Sequence, residues 1–287
     1  MIQARRLGYA VLSAPDIGRQ VAYFSEILGL RLIDRGATRA VLATPQGIEC
    51  LVLESGAATA LTGLAFQVAP TTDLDQACRT LGAAGLAAAL RPGRTPGIDR
   101  VLAFEDPGGI EIELFTQLRG VAGLGAGGGI GPLKIGHIAR MVPDTAAFTA
   151  FYETMLGFRR SDWSGDSMMF MRCGPDHHTV NFFQGAARLN HIAFEVKDWS
   201  ELARAADLLR GRGLPLDWGP ARHHIGHNMA CYHSNADGVR IELYCEMDRM
   251  LDEELGFWDP RPWHEDRVQR PKEWAAPPRN AWIPDAP

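Results

Sequence analysis

The chain has 287 residues, an apolar share of 46%, a charged share of 22% and a formal net charge of −5, ordinary values for a globular protein of one large or two average domains. It has no basic block, and no apolar run nears the ~18 residues of a membrane span, so neither nucleic acid nor a membrane is expected as partner. Five widely spaced cysteines and an N-terminus without a secretory core predict reduced thiols and a cytoplasmic location.

Along the chain, short apolar strands alternate with amphipathic helices. Gly8-Tyr9-Ala10-Val11 reads as a strand, and Asp16 can cap a helix running to Leu28. A glycine ends that helix, and the alternating run Ala40-Val41-Leu42-Ala43 follows. A second unit starts near residue 61 with Leu61-Thr62-Gly63-Leu64-Ala65-Phe66. A third starts near 134, with a helix from Asp144 to Leu156 and a strand at Met168-Met169-Phe170-Met171. The fourth starts near 188 and continues through a helix capped by Asp198. This pattern predicts an α+β fold of four tandem βαβββ modules, two per half, each half an open, curled mixed sheet around a cavity. Residues 1–119 would form an N-terminal domain and 133–246 a C-terminal one, joined by a glycine-rich linker over 120–132. The linker fits G-x-G-x-x-G, but Pro132 and a new strand follow where a dinucleotide site needs a helix. Residues 247–287 carry Trp258, Trp263, Trp274 and Trp282, too many for a disordered tail, and should wrap the body as a lid or a subunit contact.

The halves repeat each other. Tyr9 to Gly63 and His137 to His191 both span 54 residues (63−9 and 191−137), while Gly63 to Glu113 and His191 to Glu242 span 50 and 51. The first half thus carries Tyr9, Gly63 and Glu113 where the second carries His137, His191 and Glu242, and all nine histidines lie at 137 or beyond. Gly63 has no donor atom. Two imidazoles and one carboxylate with the other positions open form the facial set of non-haem Fe(II) oxygenases, which lets a chelating substrate and O2 bind side by side. Any one of the three alone would more often be an ordinary core or strand residue; the set points to a metal. His224 and His227 have zinc-pair spacing in a loop unsuited to a second metal, and His233 and His264 read as solvated.

These residues resemble the type I extradiol dioxygenases of the vicinal oxygen chelate superfamily, near the homoprotocatechuate and 2,3-dihydroxybiphenyl branches. The motifs are Gly136-His137-Ile138, Arg172-Cys173-Gly174-Pro175-Asp176-His177-His178-Thr179-Val180, Leu189-Asn190-His191-Ile192, and Gly219 through His223 and Tyr232 to Glu242. The separations His223 to Tyr232 (232−223 = 9) and Tyr232 to Glu242 (242−232 = 10) match that pattern. The resemblance implies ring cleavage of a catechol by O2 at Fe(II), or alternatively Mn(II), held by His137, His191 and Glu242. It implies His178, with His177 as rival, as the base beside the metal, His223 and Tyr232 as hydrogen-bonding partners of substrate, and a homo-oligomer of four or more chains. Trp218 and Pro271 stand where the homoprotocatechuate branch has arginines, so an apolar or aromatic substituent is expected on the catechol. Trp218, Phe170, Met171 and Met229 are candidate pocket walls. The rival readings are a glyoxalase-type isomerase or hydroquinone dioxygenase on the same scaffold, and a metal-free module binding an aromatic compound.

Overall fold

The structure, a computed structural model, describes residues 2–122, 124–125, 127–256, 258–259 and 270–275. Trp263, His264 and Trp282, for which the sequence raises expectations, lie outside these residues.

Four βαβββ units follow one another. The first comprises β1 (Ala4–Ala14), α1 (Ile17–Ala22), β2 (Arg31–Arg35), β3 (Arg39–Ala43) and β4 (Glu49–Ser55). The second comprises β5 (Ala60–Val68), α2 (Leu74–Ala83), β6 (Ala89–Pro92), β7 (Arg100–Glu105) and β8 (Glu111–Phe115). The third comprises β9 (Lys134–Val142), α3 (Thr145–Leu156), β10 (Arg159–Ser164), β11 (Met168–Arg172) and β12 (Val180–Gln184). The fourth comprises β13 (Arg188–Glu195), α4 (Trp199–Gly211), β14 (Leu216–Arg222), β15 (Met229–Ser234) and β16 (Arg240–Cys245). The helix expected from Asp16 to Leu28 is α-helical only to Ala22 and widens to a π-helical turn over Tyr23–Ile27. The caps act through one mechanism: Asp16, Asp73, Asp144 and Asp198 each accept a backbone N–H of the first turn. Gly157 ends α3 with φ 68°, which a side chain would strain.

The first sheet runs β2-β3-β4-β1-β5-β8-β7-β6. The second runs β14-β15-β16-β13-β9-β12-β11-β10, and β17 (Lys272–Glu273) adds in parallel to its β10 edge. In both, the central pair is antiparallel (β1 with β5, β9 with β13) and flanked by parallel neighbours. The main core lies on the helix side and runs continuously through both halves. Phe24 of the π-helical turn meets Phe194 of β13, and Phe66 of β5 meets Tyr152 and Phe158. A buried ion pair between Asp106 and Arg140 and a hydrogen bond from Tyr152 to Asp106 also join the halves. The opposite, concave faces carry separate apolar clusters. Among the described residues no helix is long and apolar enough to cross a membrane.

Candidate metal centre

Strand pairing brings the three candidate ligands together. On β13, Ala193 pairs with His137 of β9 on one side and with Glu242 of β16 on the other. His191 lies two residues back on the same face. The small Ala193 side chain leaves room for an imidazole and a carboxylate to lean over it from both flanks. Gly136 helps on β9, because a Cβ there would collide with the Tyr244 hydroxyl, and the Tyr244 ring lies beside His137 at 5.3 Å between centroids.

The donor atoms form a nearly equilateral triangle. His137 Nε2 lies 2.9 Å from Glu242 Oε2 and 3.2 Å from His191 Nε2, and His191 Nε2 lies 3.0 Å from Glu242 Oε2. Three ligands on one face of an octahedron with bonds of about 2.1 Å stand about 3.0 Å apart, against about 3.4 Å for a tetrahedron. The triangle and its N, N, O donor set therefore fit a divalent ion with three further positions open. All three residues are buried. Burial alone would raise the Glu242 carboxyl, but the charge of His137 and the close contacts with the His137 and His191 imidazoles hold it well below the usual range. Burial pushes His191 down to about 4, with Glu242 opposing, which keeps the imidazole neutral as a metal requires.

A second ring orients this set. Asn190 Oδ1 lies 2.7 Å from His191 Nδ1 and fixes the ring. Tyr232 donates to Glu242 Oε2 at 2.8 Å, and His223 Nε2 lies 2.9 Å from that phenol oxygen. Asn228 Nδ2 donates to the other carboxylate oxygen, Oε1, at 2.8 Å. Sequence reading missed Asn228, although period-2 alternation back from Tyr232 puts it on the cavity side. Phe170, Asn181, Phe183 and Ile225 complete the wall of a small cavity beside the three donor atoms. Larger clefts lie where the halves meet, but among the described residues they have no converging donor set, so donor chemistry rather than size marks the site.

The two neighbouring histidines have different surroundings. His178 lines the cavity, its ring 4.2 Å from that of His137. His177 lies behind it, between Asp162 and the indole of Trp258. Burial, then the neighbouring imidazoles, push His178 well below the ordinary histidine value. Of the expected pocket walls, Phe170 lines the cavity, whereas Met171, the next residue on the strand, points into the helix-side core. Met229 also packs against that core, and Trp218 stands one layer back, stacked on His223 at 4.8 Å. The reading of His233 as solvated is corrected: it is fully buried on the helix side of β15, 2.5 Å from the Tyr23 hydroxyl. His224 is exposed, and His227 pairs with Asp248 at 2.7 Å.

The first half carries the same register with different chemistry. Ala65 pairs with both Tyr9 and Glu113. Tyr9 donates to Glu113, and Arg91 and Arg94 reach the same carboxylate at 2.6 and 2.7 Å.

The sequence profile of the glyoxalase/bleomycin resistance protein/dioxygenase superfamily matches residues 6–114 and again 134–243. The chain belongs to this superfamily. Within it, the chain is 26% identical over 258 residues to biphenyl-2,3-diol 1,2-dioxygenase of Paraburkholderia xenovorans (strain LB400), covering 83% of this chain and 86% of the relative. It is 23% identical to the manganese-dependent 2,3-dihydroxybiphenyl 1,2-dioxygenase of Geobacillus genomosp. 3, covering 95% and 94%. The Mn(II)-bound glyoxalase from Novosphingobium aromaticivorans shares the fold, with a TM-score of 0.80 at 24% identity, over 96% of this chain and 89% of that one. Superfamily membership and fold admit several chemistries, so the donor set decides the reading.

Proposed function

We propose that this superfamily member is an extradiol dioxygenase that opens the ring of a catechol with O2, using Fe(II) or Mn(II) held by His137, His191 and Glu242. The observation that carries the reading is the buried 3 Å triangle of two imidazole nitrogens and one carboxylate oxygen, all from the second half. The relatives named as dioxygenases of catecholic diols support it. In this reading the first half is a domain without metal.

When bound, the ion supplies the place where the diol and O2 meet and the path for electron density between them. The chain's own residues bind, orient and move protons. His178 faces the cavity in its neutral form and takes a proton from one substrate hydroxyl. Burial, then the charge of Glu242, raises Tyr232 well above the usual phenol value, so it stays protonated, and its one hydrogen turns from Glu242 Oε2 to an oxygen of the diol when the diol binds. His223, stacked on Trp218, aligns that phenol. Among the described residues lining the cavity there is no Arg or Lys. A carboxylate on the substrate would be left without a partner there, and Phe170, Phe183 and Ile225 favour an apolar substituent instead.

The test is anaerobic purification, loading with Fe(II) or Mn(II), and a panel of 2,3-dihydroxybiphenyl, catechol, homoprotocatechuate and hydroquinone. Oxygen uptake with a yellow product from the vicinal diols, and not from hydroquinone, is expected. Turnover of hydroquinone alone, or no metal retained at one per chain, would overturn the reading.

A further inference from the structure

We propose that Asp162 is a positioning residue: with the C-terminal segment at Lys272 and Trp274, it sets the tautomer of His177 and, through it, leaves His178 Nε2 bare toward the cavity. The inference rests on reading His178 as the base. Asp162 is completely buried on β10, and three groups converge on its carboxylate. The Lys272 backbone N–H donates to Oδ1 at 2.9 Å and the Trp274 indole N–H to Oδ2 at 2.8 Å. His177 Nε2 lies 3.0 Å from Oδ2.

The first two groups can only donate, so the carboxylate is oriented as an acceptor and His177 Nε2 must carry a hydrogen. A neutral His177 then has a bare Nδ1. That atom lies 2.9 Å from Nδ1 of His178. Two nitrogens at that distance need one hydrogen between them, and only His178 can provide it. With its proton on Nδ1, His178 presents an unprotonated Nε2, which can take the proton of a substrate hydroxyl. The imidazolium so formed keeps Nδ1–H against His177, whose far side is held by the Asp162 carboxylate. This order of carboxylate, imidazole and base follows the logic by which a buried aspartate fixes a histidine tautomer in serine proteases.

The arrangement makes the C-terminal segment part of the site. β17 pairs with β10 at Asp162 and Trp163, so the sheet extension delivers both donors to the carboxylate. The indole of Trp274 also packs into the concave-face cluster that contains Phe170 and Tyr232.

Asp162→Asn tests this with little change of shape. With its oxygen kept on the Lys272 backbone N–H, the carboxamide puts its NH2 in the place of Oδ2, where it gives up the Trp274 contact and offers His177 an N–H in place of an acceptor. The tautomers of both histidines then reverse, and His178 Nε2 becomes protonated. The readout is 15N NMR of the imidazoles in the full chain loaded with diamagnetic Zn(II), together with kinetics of the Fe(II) or Mn(II) form. Wild type is expected to show His178 protonated at Nδ1. The variant is expected to show it at Nε2, with metal content and KM preserved and kcat lower by about 10²- to 10⁴-fold. Wild-type His178 protonated at Nε2 overturns the proposal without any variant. So does Asp162→Asn with unchanged tautomers and kcat within about threefold. If wild type cleaves no diol yet shows the expected tautomers, the relay stands and the proposed reaction falls.

Discussion

Glu242 faces a problem that a single residue solves. Both of its oxygens are buried, and only Oε2 points at the imidazoles of His137 and His191. An unpaired buried carboxylate oxygen is costly, and a carboxylate free to rotate would present either edge to a metal. Asn228 answers both difficulties by donating to Oε1. Asn228→Leu keeps the volume and removes the donor. Metal affinity should fall about 10- to 100-fold, as for other groups that orient a metal ligand, and stability by about 1–3 kcal/mol. Chelator competition on purified protein measures the first and urea unfolding the second; unchanged affinity would show that Glu242 needs no such guide.

At the scale of the strand, period-2 alternation separates chemistry from packing. Phe170 and Met171 are neighbours on β11, one at the cavity and one in the helix-side core. Phe170→Ala should therefore raise KM for the diol and shift substrate preference. Met171→Ala should leave both alone and destabilise the fold by about 2–5 kcal/mol. The converse pattern would show that the strand faces are exchanged in the working protein. The same alternation on β15 puts Ala230 and Tyr232 toward the site and Cys231 and His233 away from it. Burial lowers His233 to about 4. The unfolded chain, with an ordinary imidazole near 6.5, binds the proton over the range in which the folded chain does not. Stability should therefore rise with pH from about 4 to 6.5, and fall by up to a few kcal/mol as the medium is acidified through that window. In urea unfolding across this window, His233→Gln should give a shallower slope than wild type. Identical slopes would mean that His233 does not set this dependence.

At the scale of the whole molecule, the duplication explains what the sequence discloses and what it withholds. The four βαβββ units and the meeting of His137, His191 and Glu242 are legible, because strand register is carried by anchors a fixed distance apart and a repeated sheet repeats its register. Asp162 and Trp274 are not, since 112 residues separate them and no local pattern announces a pairing between β10 and a two-residue strand. His233 misled for a related reason: its partner, Tyr23, belongs to the other half. The first half also shows that the register alone does not make a metal site. Tyr9, Ala65 and Glu113 repeat the geometry, but Arg91 and Arg94 supply the positive charge beside the carboxylate, and a guanidinium stays charged at any ordinary pH. Restoring the missing imidazoles with Tyr9→His and Gly63→His therefore should not create a second centre. A dication would have to settle beside two fixed cations in a low-dielectric pocket, and a Cβ at position 63 would already press on Val11 at 3.0 Å. Elemental analysis of the double variant should still find one ion per chain. Two ions would show that ligand register outweighs the arginines, and that the two halves differ in fewer residues than their charge patterns suggest.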